Sequence, residues 1–373
     1  MYEQIGQERG VLRLLPDDQE RNCRRIKMRE FAGYQHGIDL GGWLSQCNHT
    51  QERYDTFITK EDLAVVKSWG LDHVRIPVDY NVVEDKEGNY KEEGFERLQN
   101  VIDWCGEYGL NMILDLHKTF GFSFDVGENE FGFFENEADQ ERFYRLWEQF
   151  AQRYGKYKDR LAFELLNEVT EKRFSDEWNR ISTVCIGRIR AFAPDIWILL
   201  GGYYNNSIEP LADLAWPVDD RIVYNFHCYE PLVFTHQGAA WVDGMDTGFR
   251  MPFECTYGKY LEYSHEQLKM YQDLEKNCFT GLDTEESISV GYFERMMEEA
   301  VRISKERDVP LYCGEYGVID RATPEDTLKW FKMITACFDK YNIGRAAWTY
   351  REMDFGIADA RMDGVREELL KLL

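Results

Sequence analysis

The strongest constraint on this chain is a rhythm. From about residue 35 onward, short apolar runs of strand length alternate with longer amphipathic stretches of helical period. Strands that alternate with helices belong to parallel α/β architectures, because a parallel pair needs a crossover between its strands. Eight strand candidates fall near residues 35–40, 73–77, 111–116, 161–166, 197–201, 222–226, 311–314 and 345–348. Helical periodicity fills most gaps, at 59–69, 94–108, 138–154, 176–192, 291–307 and 324–341. Thr59 followed by Asp62 reads as a helix start of the capping-box kind, and Pro324 stands where a missing N–H costs nothing. Eight strand–helix units predict a closed (β/α)8 TIM barrel. The rival, a doubly wound open sheet, usually has fewer strands and often a glycine-rich phosphate loop; neither a Walker loop nor G-x-G-x-x-G occurs here.

Two segments break the rhythm. Residues 1–34 are charged and weakly periodic and read as an N-terminal extension to a catalytic barrel over 35–373. Residues 230–290 carry no strong strand signal, with helical character near 262–276, and read as a subdomain inserted after strand 6. Insertions after barrel strands fall on the face where such folds place their active sites, so this one is expected to border a cleft.

The formal net charge is −24, which disfavours nucleic acid and acidic membranes as partners. No stretch has the length and apolarity of a membrane span, and the N-terminus lacks an apolar signal core. Nine cysteines are scattered without a C-x-x-C pair, which fits reduced thiols and a cytoplasmic protein. Aromatic residues make up 15% of the chain, a content suited to stacking on the apolar faces of sugar rings.

Catalytic groups of a barrel sit at the C-terminal ends of its strands. There the chain reads G-I-D-L-G-G-W ending at Trp43, V-R-I-P around Arg75, L-D-L-H ending at His117, F-E-L-L-N-E ending at Glu168, N-F-H-C-Y ending at Tyr229, C-G-E-Y-G around Glu315, and A-A-W-T-Y around Trp348. Glu168 and Glu315 close strands four and seven and face each other across the ring. Glycoside cleavage needs such a pair: one carboxylic acid protonates the leaving oxygen, and a second carboxylate attacks or directs water. Asn167 is placed to bond a sugar 2-hydroxyl. Arg75 and Tyr229 are placed to aim Glu315, His227 to tune Glu168, and Trp348 to floor a sugar ring. Glu164 shares strand parity with Glu168 and reads as a structural ion pair.

Together these strand-end motifs resemble glycoside hydrolase family 5, the cellulase A family, and within it the clostridial endoglucanase C type, which shares Y-N-F-H-x-Y (224–229), F-T-H-Q (234–237), Y-C-G-E (312–315) and M-D-F (353–355). The resemblance runs from about Tyr34 to the C-terminus and covers the position of the insertion. It implies a retaining hydrolase of β-linked glucan or gluco-oligosaccharides, with β-1,4 linkages favoured and no cofactor. By position it makes Glu168 the acid/base and Glu315 the nucleophile. Arg75, His117, Asn167, His227, Tyr229 and Trp348 become substrate-site residues. Trp43, weighed from its place at the strand end, reads as lining a subsite in preference to plugging the barrel rim. Lys118 stands where many relatives carry a second His, and Thr349 where the endoglucanase C type carries Asn; both positions are expected near sugar subsites.

Rival readings make distinct predictions. An exo-acting intracellular β-glucosidase or β-mannosidase would take short imported oligosaccharides. A non-catalytic sugar-binding barrel would lack one carboxylate. A metal-assisted hydrolase would gather Asp115, His117 and His227 around an ion. His236 and Trp241, in the insertion, are weighed evenly as substrate contacts. Oligomeric state is not legible.

Overall fold

The computed structural model describes residues 28–125, 127–128, 130–269 and 278–373. Eight strands, β1 (His36–Asp39), β2 (His73–Asp79), β3 (Asn111–Lys118), β4 (Leu161–Glu164), β5 (Trp197–Leu200), β6 (Ile222–His227), β7 (Leu311–Tyr316) and β8 (Gly344–Ala347), close into a barrel in chain order. Every neighbouring pair is parallel, including β8 with β1, so the predicted (β/α)8 barrel is the observed fold.

The helices around it obey the periodicity that predicts them. Helix Glu92–Tyr108 buries Phe95, Leu98, Val101, Ile102 and Cys105 on one face and ends at Gly109 in the left-handed conformation, φ +63°. Helix Pro324–Tyr341 starts behind Thr323, whose hydroxyl accepts the Asp326 N–H at 3.2 Å. Helix Lys60–Ser68 opens with the predicted capping box, in which the Thr59 N–H donates to the Asp62 carboxylate at 2.8 Å.

The barrel interior is layered. Its lower layer is apolar: Ile113, Ala162, Leu199, Val223, Tyr312 and Ala346 pack with Phe31 and Tyr34. Phe31 and Tyr34 lie within the predicted N-terminal extension, yet both are buried, and their rings stack at 4.1 Å beneath the strands. His73, of the same layer, bonds the Tyr312 hydroxyl at 2.6 Å. The layer above is polar: Asp39, Arg75, Asp115, Glu164 and Asn225, all with no exposed surface. Bulky aliphatic side chains usually fill this position in such barrels. A charged middle layer marks the level at which packing gives way to the site.

Two register shifts re-aim side chains at the top. One lies between Phe226 and His227, the other between Cys313 and Tyr316, so that His227 comes to pair with Glu315. An extra residue in one strand of a pair bends it and redirects its side chains. Gly314 allows this bend: a Cβ there would lie 2.6 Å from the Asn225 side-chain oxygen.

Between β6 and helix Val290–Arg307 the chain forms a short turn at Leu232–Thr235 and a helix at Tyr257–Gln267. The helix predicted near 262–276 thus begins five residues earlier, and residues 270–277 lie outside the described residues. Stacked rings of Tyr260, Phe279 and Tyr292 tie this segment to helix Val290–Arg307.

Candidate active site

Arg75 organises the site. Its guanidinium grips Glu164 with two bonds, Nε to Oε2 at 2.6 Å and an outer nitrogen to Oε1 at 2.9 Å. The same group reaches Asp39 at 3.0 Å, Asp115 at 3.0 Å, Asn167 Oδ1 at 2.9 Å and Glu315 Oε1 at 2.8 Å. Only the planar five-donor fork of Arg can serve so many acceptors at once. Burial pushes the carboxyls of Asp39, Asp115 and Glu164 upward, Asp115 to about 7, while the Arg75 charge pulls them back. Glu164 is therefore a structural partner of Arg75, as the sequence reading has it, and Asn225 Nδ2 completes its bonding at 2.7 Å.

Glu315 is held from both sides. Arg75 takes Oε1, and the Tyr229 hydroxyl donates to Oε2 at 2.9 Å. Across from it, Glu168 Oε1 lies 2.8 Å from His227 Nδ1, and Oε2 accepts from Asn205 Nδ2 at 3.0 Å. Glu168 itself has a left-handed backbone, φ +44°, uncommon for a side chain of this kind and typical of functional turns. One carboxylate oxygen of Glu168, one of Glu315 and a ring nitrogen of His227 all lie within 4.8 Å of one another.

The two carboxyls differ in environment. Burial pushes Glu168 up to about 7, opposed chiefly by the Asn205 amide. Glu315 sits on a guanidinium and a phenol. Burial lowers His227 to about 4, so its ring is neutral at physiological pH. An acid that keeps its proton to neutrality beside a carboxylate held by a cation is the asymmetry that two-carboxyl catalysis requires.

The remaining predicted residues fall as follows. His117 bonds Asp115 through Nδ1 and lies parallel to the Trp348 ring at 6.0 Å, interplanar angle 4°. Asp115 is thus occupied by Arg75 and His117. Asn167 gives its oxygen to Arg75, and its buried Nδ2 has no protein partner, a donor free for a ligand hydroxyl.

Two expectations need correction. Trp43 is 1% exposed, and its indole N–H donates to the Tyr54 carbonyl at 2.9 Å. No face of that ring is left for a sugar, so Trp43 is core. Thr349 is also fully buried: its hydroxyl donates to the Asp39 carbonyl at 2.8 Å and accepts the Gly41 N–H at 3.0 Å, stitching β8 to β1 instead of facing a subsite. Lys118 bonds Glu128 at 2.9 Å and Asp125 at 2.5 Å, tying down the loop after β3. Sequence reasoning missed Asn205. The signal available was a pair of asparagines after Gly-Gly at the end of β5, a pattern suited to left-handed turns.

Comparison with known proteins fits this geometry. Residues 34–354 match the family model described as cellulase, glycosyl hydrolase family 5. The chain belongs to glycosyl hydrolase family 5. Within that family, it is 47% identical over 318 residues to cellodextrinase A of Ruminococcus flavefaciens, covering 85% of this chain and 86% of that protein. It is 35% identical over 347 residues to endoglucanase C of Acetivibrio thermocellus, covering 92% and 98%. Among solved structures, Thermotoga maritima Cel5A in complex with cellobiose superposes with a TM-score of 0.71 at 22% identity, covering 91% of this chain and 97% of that one, a likeness of fold. As a family 5 member the chain is an O-glycosyl hydrolase that retains anomeric configuration. Among its described residues, no helix is long and apolar enough to cross a membrane.

Proposed function

We propose that this hydrolase cleaves β-1,4-linked glucan and cello-oligosaccharides, with Glu168 as acid/base and Glu315 as nucleophile. The observation that carries the assignment is that one oxygen of Glu168 and one of Glu315 lie within 4.8 Å of each other. Retaining glycosidases hold their pair about 5–5.5 Å apart, whereas inverting ones need about 6.5–9.5 Å to fit a water. In the first step Glu315 bonds the anomeric carbon as the glycosidic C–O bond breaks, and the Glu168 proton passes to the leaving oxygen. In the second step water attacks that carbon, Glu168 takes its proton, and the Glu315 ester is released. Arg75 and Tyr229 hold and aim the two oxygens of Glu315. Asn167 Nδ2 donates to the sugar 2-hydroxyl, and the His117–Trp348 pair walls the ring. The names of the two relatives, a cellodextrinase and an endoglucanase, support the β-1,4-glucan choice. The eight described cysteines are all free, which supports work in a reducing, cytoplasmic compartment.

Three measurements test this. Proton NMR of fresh hydrolysate should show the β-anomer first. Glu315→Gln should lose nearly all turnover. Turnover should be found on cello-oligosaccharides ahead of laminari- and manno-oligosaccharides. A Glu315→Gln protein at wild-type rate, or an α-anomer product, would overturn the assignment.

A further inference from the structure

Three consecutive residues other than glycine, Tyr204, Asn205 and Asn206, carry left-handed backbone angles, with φ of +52°, +54° and +55°. L side chains disfavour this conformation, and a run of three persists only where the surroundings impose it. Here the chain just past Glu168 does so: the Val169 carbonyl accepts the Asn205 N–H at 3.0 Å, and the Thr170 carbonyl accepts the Tyr204 N–H at 3.2 Å. Gly201 makes room, since a Cβ there would lie 2.3 Å from the Asn206 side chain. The turn delivers two amides to one place. Asn205 Nδ2 donates to Glu168 Oε2 at 3.0 Å, and Asn206 Nδ2 faces His227 Nε2 at 3.5 Å.

We propose that this turn is a positioning element for the acid/base, in which Asn205 aims and tunes the Glu168 carboxyl and Asn206 fixes the tautomer of His227. The inference rests on the reading of Glu168 as acid/base. Around that carboxyl stand His227 from β6, Glu315 from β7, His117 from β3, Arg75 from β2 and Asp125 from the loop after β3. Asn205 adds a neutral donor from the loop after β5. An amide N–H only donates, so it favours the ionised carboxyl over the protonated one and opposes the effect of burial. With Nε2 of His227 accepting from Asn206, the neutral ring carries its proton on Nδ1 and donates it to Glu168 Oε1 at 2.8 Å. Both oxygens are then oriented, and the carboxyl can release its proton in one step and take one from water in the next.

Asn205→Gly isolates this role, because glycine keeps the left-handed backbone without strain while losing the amide. The variant should melt no lower than wild type. The basic limb of its kcat/KM profile on an aryl β-cellobioside should move up by about one pH unit. On 2,4-dinitrophenyl β-cellobioside, whose leaving group departs without a proton, kcat should fall about tenfold, and azide, which needs no general base, should restore it. An unmoved basic limb with no azide effect would overturn the proposal. Glu168→Ala, measured alongside, separates the two ideas. If azide fails to rescue that variant, the acid/base reading itself is wrong. If azide rescues it while Asn205→Gly keeps the wild-type profile, only the role of the turn is lost.

Discussion

Arg75 donates to Glu315 Oε1 at 2.8 Å from the middle of the barrel, while the other edge of its guanidinium is spent on Glu164. The Glu315 carboxyl is thus aimed by a residue that is itself locked by a carboxylate on a different strand. Arg75→Lys removes the fork, and a single ammonium cannot bond four carboxylates and Asn167 together. Removing the partner of buried charges typically costs about 3–5 kcal/mol. The variant should melt well below wild type, and its kcat/KM should fall about a hundredfold or more, measured on the same aryl cellobioside.

The pH dependence follows from Glu168. Burial holds its proton to about 7, so the acid form is present below that pH and lost above it. Rates on substrates with poor leaving groups should fall as pH rises through about 7, in a kcat/KM profile of the free enzyme. Stability carries the same sign. An unfolded Glu ionises near 4.3, so Glu168 holds its proton more tightly when folded, and that contribution disappears between about pH 4 and 7. Glu168→Gln removes the ionisation. Its stability advantage over wild type should grow from pH 5 to pH 8 by about 1–3 kcal/mol, read by denaturant melts at each pH.

Gly314→Ala tests the bulge that turns Glu315 inward. The added methyl would lie 2.6 Å from Asn225 Oδ1, and Asn225 is bonded to Glu164. Overpacking of this kind costs about 1–3 kcal/mol. A small displacement of Glu315, the proposed nucleophile, should lower kcat about tenfold to a hundredfold while KM changes little.

Trp241, in the segment between β6 and helix Val290–Arg307, is 42% exposed and edge-on to His236, which packs on Tyr229 at 5.0 Å. An exposed indole one ring away from the tyrosine on Glu315 suits stacking on an outlying sugar. Trp241→Ala should raise KM for cellotetraose several-fold and leave kcat on a short aryl glucoside unchanged.

Much of this was legible in the residues, for physical reasons. Apolar runs alternating with 3.6-period stretches admit few folds, and strand parity alone put Glu164 inward. Glu168 and Glu315 were visible because two carboxyls at the ends of strands four and seven must face each other once the ring closes. What escaped depended on side-chain direction and loop backbone. Trp43 follows a Gly-Gly pair at a strand end, where ring orientation depends on the neighbouring Tyr54 carbonyl. Thr349 spends its hydroxyl on a carbonyl and an N–H of another strand, a choice that residue type does not reveal. Asn205 reaches Glu168 only because three left-handed residues turn it there. Phe31 and Tyr34 sit in a charged, weakly periodic segment, and the closed ring above them explains their burial.

That apolar floor has a consequence for the strength of the charges above it. Phe31 and Tyr34 bound the lower end with buried ring surface, so the layer around Arg75 has little water beneath it. A sugar chain lodged above that layer strips water from the other side, and the pull of Arg75 on the carboxylates around it grows as the local dielectric falls.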